Sequence, residues 1–252
     1  IFCQMGNFQI ALECYFAGNY SNNTIKGKIE WTTFSKNRVR IWINNKTPDI
    51  ICEIDNDGSR EVEIDNMRSS LEPIYQRVQN LGGLPFHAAL IEMDGKGVLL
   101  VGSGNSGKST SCLRLPNYWH GLGDDEALVV YDPKLGYRAH PFPTWSEHIW
   151  ELSDKSWNVQ YSVPVCAIIF LEKAENDAII PLGNGIATVA INQSAMEVSR
   201  RFWRKLDDDI IRKFTILQFH NACKIAQRIP AFILKQTLEG KFWEEIEKMV
   251  CN

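Results

Sequence analysis

Alternation of apolar and polar residues in the first part of the chain predicts a small antiparallel sheet. The pattern is clearest in Val39-Arg-Ile-Trp-Ile43, and similar short runs cover residues 28–34, 50–54 and 61–64. A period of two residues is that of a half-buried strand, and clusters of Asn, Asp, Gly and Pro between the runs are typical of turns.

A helical period replaces the alternation after residue 66. Apolar residues at positions 67, 71, 74, 75, 78 and 81 repeat at the spacing of one helix face. Because proline suits the first turn of a helix, Pro73 predicts a start near Ser70. Gly82-Gly83 predicts the end.

From Leu84 onward, strand-like and helix-like segments alternate, which predicts an α/β fold. The expected strands are 88–93, 98–101, 128–131, 137–140, 165–171, 179–182 and 231–234, and the expected helices are 108–115, 194–203, 207–229 and 239–250. We therefore expect a mixed sheet with flanking helices, preceded by a small antiparallel β-rich region. A boundary near residue 80 gives two domains, 1–80 and 81–252.

Composition excludes several classes of protein. A net charge of -3 is not that of a nucleic-acid-binding chain. The longest apolar run, Val165–Leu171, is too short to cross a membrane, and the first residues lack the basic region of a secretory signal. Seven cysteines without a C-x-x-C pair argue against a disulfide framework or a zinc ribbon. We expect a cytoplasmic protein.

A glycine-rich segment matches G-x-x-x-x-G-K-[ST], the pattern of a phosphate-binding loop. Its residues are Gly102, Ser103, Gly104, Asn105, Ser106, Gly107, Lys108 and Ser109, followed by Thr110 in the expected helix. Glycines allow successive backbone N–H groups to turn toward phosphate oxygens. Lys108 would reach the β- and γ-phosphates, and the Ser109 hydroxyl would bind Mg²⁺. The alternative is a glycine-rich surface turn, but the flanking strand and helix favour the loop.

Three consecutive acids, Asp124-Asp125-Glu126, stand in front of an apolar strand. Adjacent carboxylates repel one another unless a cation offsets their charge. In a phosphate-binding fold that cation is Mg²⁺, so one acid would bind metal while another accepts a proton from an attacking hydroxyl. The alternative is a solvated turn with a capping aspartate.

Three further features have both a functional and a structural interpretation. His87 precedes the strand that leads into the loop, where a histidine can orient an acid or simply be hydrogen-bonded. The proline-rich segment 140–146 is either an acceptor-binding loop or a stiff connection. Arg200, Arg201 and Arg204 either face a phosphate or cover a solvated helix face.

These motifs together resemble the HPr kinase group, relatives of ATP-dependent phosphoenolpyruvate carboxykinase. The resemblance spans about residues 82–172 and rests on Pro-Phe-His-Ala-Ala, the phosphate loop, Gly-Asp-Asp and Ile168-Ile-Phe-Leu-Glu172. Within the group the chain looks most like the C proteins of SynChlorMet peptide-modification cassettes, through Gly82–His87 and Ala139–Ser146. It is also similar to kinases that phosphorylate a serine of lasso-peptide precursors.

The resemblance implies roles for the matching residues. Lys108 and Ser109 would bind ATP and Mg²⁺, with Asp125 as a further metal ligand. Asp124 or Asp125 would be the catalytic base, oriented by His87. Homo-oligomer formation is implied as well. The chain lacks the segment by which HPr kinases bind their protein substrate and reverse the reaction, and its N-terminal strands differ from theirs.

The expected activity is therefore transfer of the γ-phosphoryl group of ATP to a hydroxyl, preferably a serine of a peptide or small protein. The alternative is a nucleotide-dependent module that presents a precursor peptide to a partner enzyme, with ATP acting as a switch. A carboxykinase-like reaction is disfavoured, because it needs a larger metal site than this chain offers.

Overall fold

The computed structural model describes residues 2–5, 8–16, 31–44, 46–55, 59–104, 106–142, 158–203 and 206–250. The described residues form two compact units, one up to Arg77 and one from Val78 onward. Within these residues, no helix is both long and apolar enough to span a membrane.

The first unit contains a five-stranded sheet in the order β1-β2-β5-β4-β3. Its strands are β1 (Phe2–Met5), β2 (Phe8–Phe16), β3 (Trp31–Lys36), β4 (Val39–Asn44) and β5 (Ile50–Ile54). The predicted antiparallel sheet is confirmed, with one parallel pair, β2 with β5. Residues 28–30 of the first predicted strand lie outside the described residues.

Helix α1 (Arg60–Asn80) corrects two predictions. Residues 61–64 are its first turns and not a strand, because Ile64 is buried on the same helix face as Leu71 and Tyr75. Pro73 lies inside the helix, where it removes a backbone donor at a cost of about 3 kcal/mol. Burial of this apolar face offsets that cost.

The second unit contains an eight-stranded mixed sheet in the order β10-β9-β6-β7-β11-β13-β12, with β8 paired to β6. Its strands are β6 (Leu84–Met93), β7 (Lys96–Val101), β8 (His120–Gly123), β9 (Glu126–Asp132), β10 (Gly136–Pro141), β11 (Val163–Lys173), β12 (Ala178–Leu182) and β13 (Ala231–Gln236). Strand β11 is parallel to both β7 and β13, and the other pairs are antiparallel.

Helices cover both faces of this sheet, so the predicted mixed α/β architecture is confirmed. The helices are α2 (Lys108–Arg114), α3 (Asn184–Trp203), α4 (Asp208–Arg228) and α5 (Phe242–Val250). One buried cluster joins the sheet to α3 and α4 through residues such as Ile191 and Ile225. The other joins its opposite face to α5 through Phe242 and Ile246. Helix α3 begins earlier than predicted, at Asn184.

Strand β6 lies between neighbours on both edges: β7 on one side, and β9 and β8 on the other. Nine of its ten residues are buried, and the half-buried exception is His87. The sequence predicted that His87 would precede this strand. The strand begins at Leu84, so His87 lies within it. A polar side chain thus emerges from the centre of the sheet.

Candidate active site

The predicted phosphate loop connects β7 to α2, and its geometry depends on two of its glycines. A Cβ at Gly102 would clash with the side chain of Ser106. Gly107 adopts φ +104°, a conformation that residues with a side chain rarely tolerate. Asn105 lies outside the described residues, and Gly104 has open space around it.

Lys108 lies across this loop rather than in solvent. Its side chain is buried, and Nζ donates hydrogen bonds to the carbonyl oxygens of Gly102 at 2.7 Å and Ser103 at 3.3 Å. Burial lowers the pKa of Lys108, while the negative charges of Asp125, Glu197 and Asp124 oppose that shift. The amine of Lys108 therefore lies close enough to three carboxylates for their charges to affect its pKa.

Ser109 and Thr110 lie in the first turn of α2, and both are exposed. The N–H groups of a first helical turn have no acceptor within the helix. Ser109 is thus open to a ligand held by the loop. Thr110 faces a neighbouring cavity.

Asp124 and Asp125 lie between β8 and β9, two consecutive strands that both pair with β6. Strand β8 places Gly123 opposite Leu90, and β9 places Glu126 opposite His87, so the two aspartates form the connection between these strands. On the other edge of β6, Ala88 is opposite Val101, the last residue before the loop. Strand pairing therefore brings the aspartates and the start of the phosphate loop to the same level of the sheet, with β6 between them.

The structure brings His87 and Asp125 together. His87 Nε2 lies 3.1 Å from Asp125 Oδ1. On its other side, His87 Nδ1 lies 2.5 Å from Glu197 Oε2 on helix α3. The backbone N–H of His87 also donates to Ser194 Oγ at 3.1 Å, one turn earlier on the same helix. The imidazole is thereby fixed between two carboxylates.

His87 and Asp125 each stabilise the charged form of the other. The pKa of His87 is raised, chiefly by its hydrogen bond to Asp125, with burial opposing and Glu197 adding to the rise. Burial would raise the pKa of Asp125, but the hydrogen bond and charge of His87, with Lys108 and Arg201, hold it below its ordinary value. Both shifts favour an imidazolium–carboxylate pair.

Glu126 directly follows the two aspartates and is the cross-strand partner of His87. Its side chain is buried and pairs with Arg201 of helix α3. Because opposite residues of an antiparallel pair face the same side of the sheet, the Arg201–Glu126 pair adjoins the His87–Asp125 pair, and Arg201 contributes to the lowered pKa of Asp125. Of the three predicted arginines, Arg201 thus binds an acid, and Arg204 lies outside the described residues.

His140 does not join this group. It is buried in β10, where Nδ1 lies 3.1 Å from the carbonyl oxygen of Val159, and burial lowers its pKa. Residues 143–146 of the predicted acceptor loop lie outside the described residues.

Glu197 is the site residue that sequence reasoning missed. No local motif marks it, because its contact with His87 depends on how α3 packs against β6. One signal was available: Ser194 and Glu197 share a helix face at a spacing of three residues.

A small cavity opens beside Glu197 and the first residues of the loop. Its volume is about 190 Å³, and its lining includes Gly102, Ser103, Phe170, Gln193 and Glu197. We call it the acid-side cavity. It contains both apolar and polar surface, as a binding site for a short side chain requires.

Metal-ligating groups are sparse. Among the described residues, no group of three or more His, Cys, Asp or Glu side chains is placed to bind a metal ion. Mg²⁺ needs fewer protein ligands, since it is commonly held by one or two oxygens together with substrate phosphates and water. Ser109 and the aspartates provide oxygen donors of that kind, so the residues fit a phosphate-bound Mg²⁺.

Comparison with protein families identifies a match over most of the chain. The family model described as SynChlorMet cassette protein ScmC matches residues 50–251. The chain belongs to the ScmC family. The matched region of this ScmC family member contains the phosphate loop, His87, both aspartates and Glu197. A search of curated proteins returns no match.

Replacing Glu197 with glutamine should lower the pKa of His87. The wild-type pKa lies above 6.5, so the protonated ring contributes fully to stability below that pH and loses its contribution as pH rises through the raised pKa. The contact with the Glu197 carboxylate is one cause of the raised pKa of His87, and the glutamine variant removes that carboxylate. The hydrogen bond to Asp125 still raises this pKa, while burial and the charge of Lys108 still lower it.

NMR titration of the ring C–H signals measures this pKa, with His87→Asn to assign the resonance. Glu175→Gln, which changes an exposed glutamate elsewhere in the unit, is the matched control. A His87 pKa that is the same in Glu197→Gln and in wild type would refute the contact.

Proposed function

We propose that this ScmC family member is an ATP-dependent kinase that phosphorylates a hydroxyl, preferably a serine, of a peptide or small protein. The observation that carries the proposal is the placement of the His87–Asp125 pair beside Lys108 of the phosphate loop. A phosphate loop alone serves many activities, whereas an oriented carboxylate next to it is what an acceptor hydroxyl needs.

Donor binding is assigned to the loop. Its backbone would surround the phosphates, and Lys108 would exchange its bonds to Gly102 and Ser103 for phosphate oxygens. Ser109 would bind Mg²⁺, and Asp124, which adjoins Asp125 in the turn between β8 and β9, would provide a second oxygen ligand. Bound Mg²⁺ would neutralise charge on the β- and γ-phosphates.

Asp125 is the proposed base. Its side chain is 36% exposed, so a hydroxyl can reach it, and His87 fixes its direction. The lowered pKa keeps it ionised at neutral pH and therefore able to accept a proton. Glu197 acts as a positioning residue, because it contacts the imidazole rather than the carboxylate.

The reaction then follows from these positions. Asp125 accepts the hydroxyl proton as the oxygen attacks the γ-phosphorus, and the bond from that phosphorus to the β–γ bridging oxygen breaks. ADP leaves with the bonding electrons, and the acceptor keeps the phosphoryl group. Lys108 offsets negative charge on the phosphates throughout, so the rate gain comes from positioning and electrostatics.

The acceptor would enter through the acid-side cavity. A volume of about 190 Å³ accommodates a single acceptor side chain.

Intact-mass analysis tests the function. Precursor peptides encoded next to the gene are incubated with the protein and Mg-ATP, and an increase of one phosphoryl group is expected. Asp125→Asn is the matched control and should give far less product in the same incubation time. Peptide binding without a mass change in any candidate would instead favour a nucleotide-dependent presenting module.

A further inference from the structure

A second, larger cavity lies beside the phosphate loop. Its volume is about 500 Å³, and its lining includes Ser106, Gly107, Thr110, Arg114, Gln236 and Leu238. It shares no lining residue with the acid-side cavity, and neither Asp124, Asp125, His87 nor Glu197 lines it. The loop therefore separates two cavities, of which one contains the acid Glu197.

We propose that this larger cavity binds the nucleoside, base and ribose, of the triphosphate. The proposal rests on the proposed function, because it assumes that the loop binds the phosphates. In a nucleoside triphosphate the γ-phosphate and the nucleoside are at opposite ends of the phosphate chain. If the γ-phosphate faces Asp125, the nucleoside must leave the loop on the other flank, where this cavity lies.

The far wall of the cavity is held in place by several contacts. Arg114 donates to the carbonyl oxygens of Thr237, at 2.8 Å, and Gly240, and its guanidinium lies 5.3 Å from the ring centroid of Phe242. The N–H of Thr237 donates to Asp177 Oδ1 at 2.6 Å. The wall is thus preorganised, which lowers the entropy cost of binding.

Gln236 connects this wall to the loop. It is buried, and its Oε1 accepts a hydrogen bond from Ser111 Oγ at 3.0 Å. Its Nε2 lies close to Gly107, where an added Cβ would approach it to 3.1 Å. Because Gly107 has no side chain, Gln236 of the wall lies directly against the phosphate loop, and the two form one continuous surface.

The lining has the chemistry of a nucleoside site. Leu238 is 79% exposed and offers apolar surface to a flat base, while Thr110 and Thr237 offer hydroxyls for a ribose or base edge. Arg114 and Lys173 are cationic, and no carboxylate is among the described lining residues. Such a surface tolerates a ligand that carries phosphates. The volume also lies within the usual range for small-molecule sites, about 300–1,000 Å³.

Two variants test the cavity without touching the proposed catalytic groups. Ala174→Phe fills it from the end of β11, and Leu238→Ser removes its apolar rim. Leu135→Ser, which makes the same change at another exposed leucine in the turn between β9 and β10, is the matched control.

Calorimetry compares Mg-ATP with magnesium tripolyphosphate, which has the phosphates without a nucleoside. Wild type should bind ATP more tightly than tripolyphosphate. Ala174→Phe should weaken ATP at least tenfold, to the level of tripolyphosphate, and Leu238→Ser should weaken it severalfold, with tripolyphosphate affinity unchanged in both. Wild-type ATP affinity in both variants would overturn the nucleoside site alone. Failure of wild type to bind either ligand would instead overturn the phosphate loop, and this proposal with it.

Discussion

Asp125→Asn should reduce the rate of phosphoryl transfer by about 10²- to 10⁴-fold, the usual contribution of a general base. The amide keeps the shape of the side chain but cannot accept the hydroxyl proton. Affinity for Mg-ATP should change little, because the loop binds the phosphates through its backbone and Lys108. Rates are measured with a peptide that the wild type phosphorylates, and binding is measured by calorimetry.

Asp124→Asn is the matched control for this experiment. It makes the same chemical change at the adjacent position, but its residue is not the one fixed by His87 at 3.1 Å. If Asp124 binds Mg²⁺, this variant should weaken binding of Mg-ATP and recover part of its activity at high Mg²⁺ concentration. Full activity in Asp125→Asn, with activity lost only in Asp124→Asn, would instead make Asp124 the base and leave Asp125 as the metal ligand.

Lys108→Ala should weaken binding of Mg-ATP by about 10- to 100-fold. Hydrogen bonds that involve a charged group contribute about 1.5–3 kcal/mol, and Lys108 is the cation that reaches back over the loop. Calorimetry with and without Mg²⁺ measures the loss. Lys134→Ala, in the exposed turn between β9 and β10, is the matched control.

The folded state needs its own check in this variant. Lys108 is buried, so its removal takes a desolvated charge out of the protein and also leaves the carbonyl oxygen of Gly102 without that donor. Thermal unfolding should therefore be recorded for both lysine variants. An intact Lys108→Ala protein with unchanged ATP affinity would contradict the phosphate-loop assignment.

Local patterns were sufficient to predict the parts of the fold that depend on local chemistry. The period of two residues in Val39–Ile43 and the glycine-rich segment between an apolar run and a helix were interpreted correctly as a strand and as the connection from β7 to α2. The strand predicted at 61–64 was wrong, because alternation over four residues also fits the start of a helix whose buried face appears only later.

Contacts between segments that are far apart in the chain could not be predicted from local patterns. His87 and Asp125 are far apart along the chain, and their meeting depends on the register that pairs β6 with β8 and β9. The resemblance suggested this partnership, while spacing alone did not. Glu197 needed the packing of α3 against the sheet: its spacing from Ser194 indicates a shared helix face, but not that this face contacts His87.

The position of His87 on β6 has a further consequence for how the site moves. Because hydrogen-bonded neighbours hold both edges of this strand, its backbone amides belong to the last part of the unit to open. In the loop at Gly102–Gly107, leaving aside Asn105, the described backbone hydrogen bond within the loop is from the N–H of Ser106 to the carbonyl oxygen of Ser103. Ligand binding would then adjust the loop around a stationary imidazole, and slow amide exchange across β6 would persist in both states.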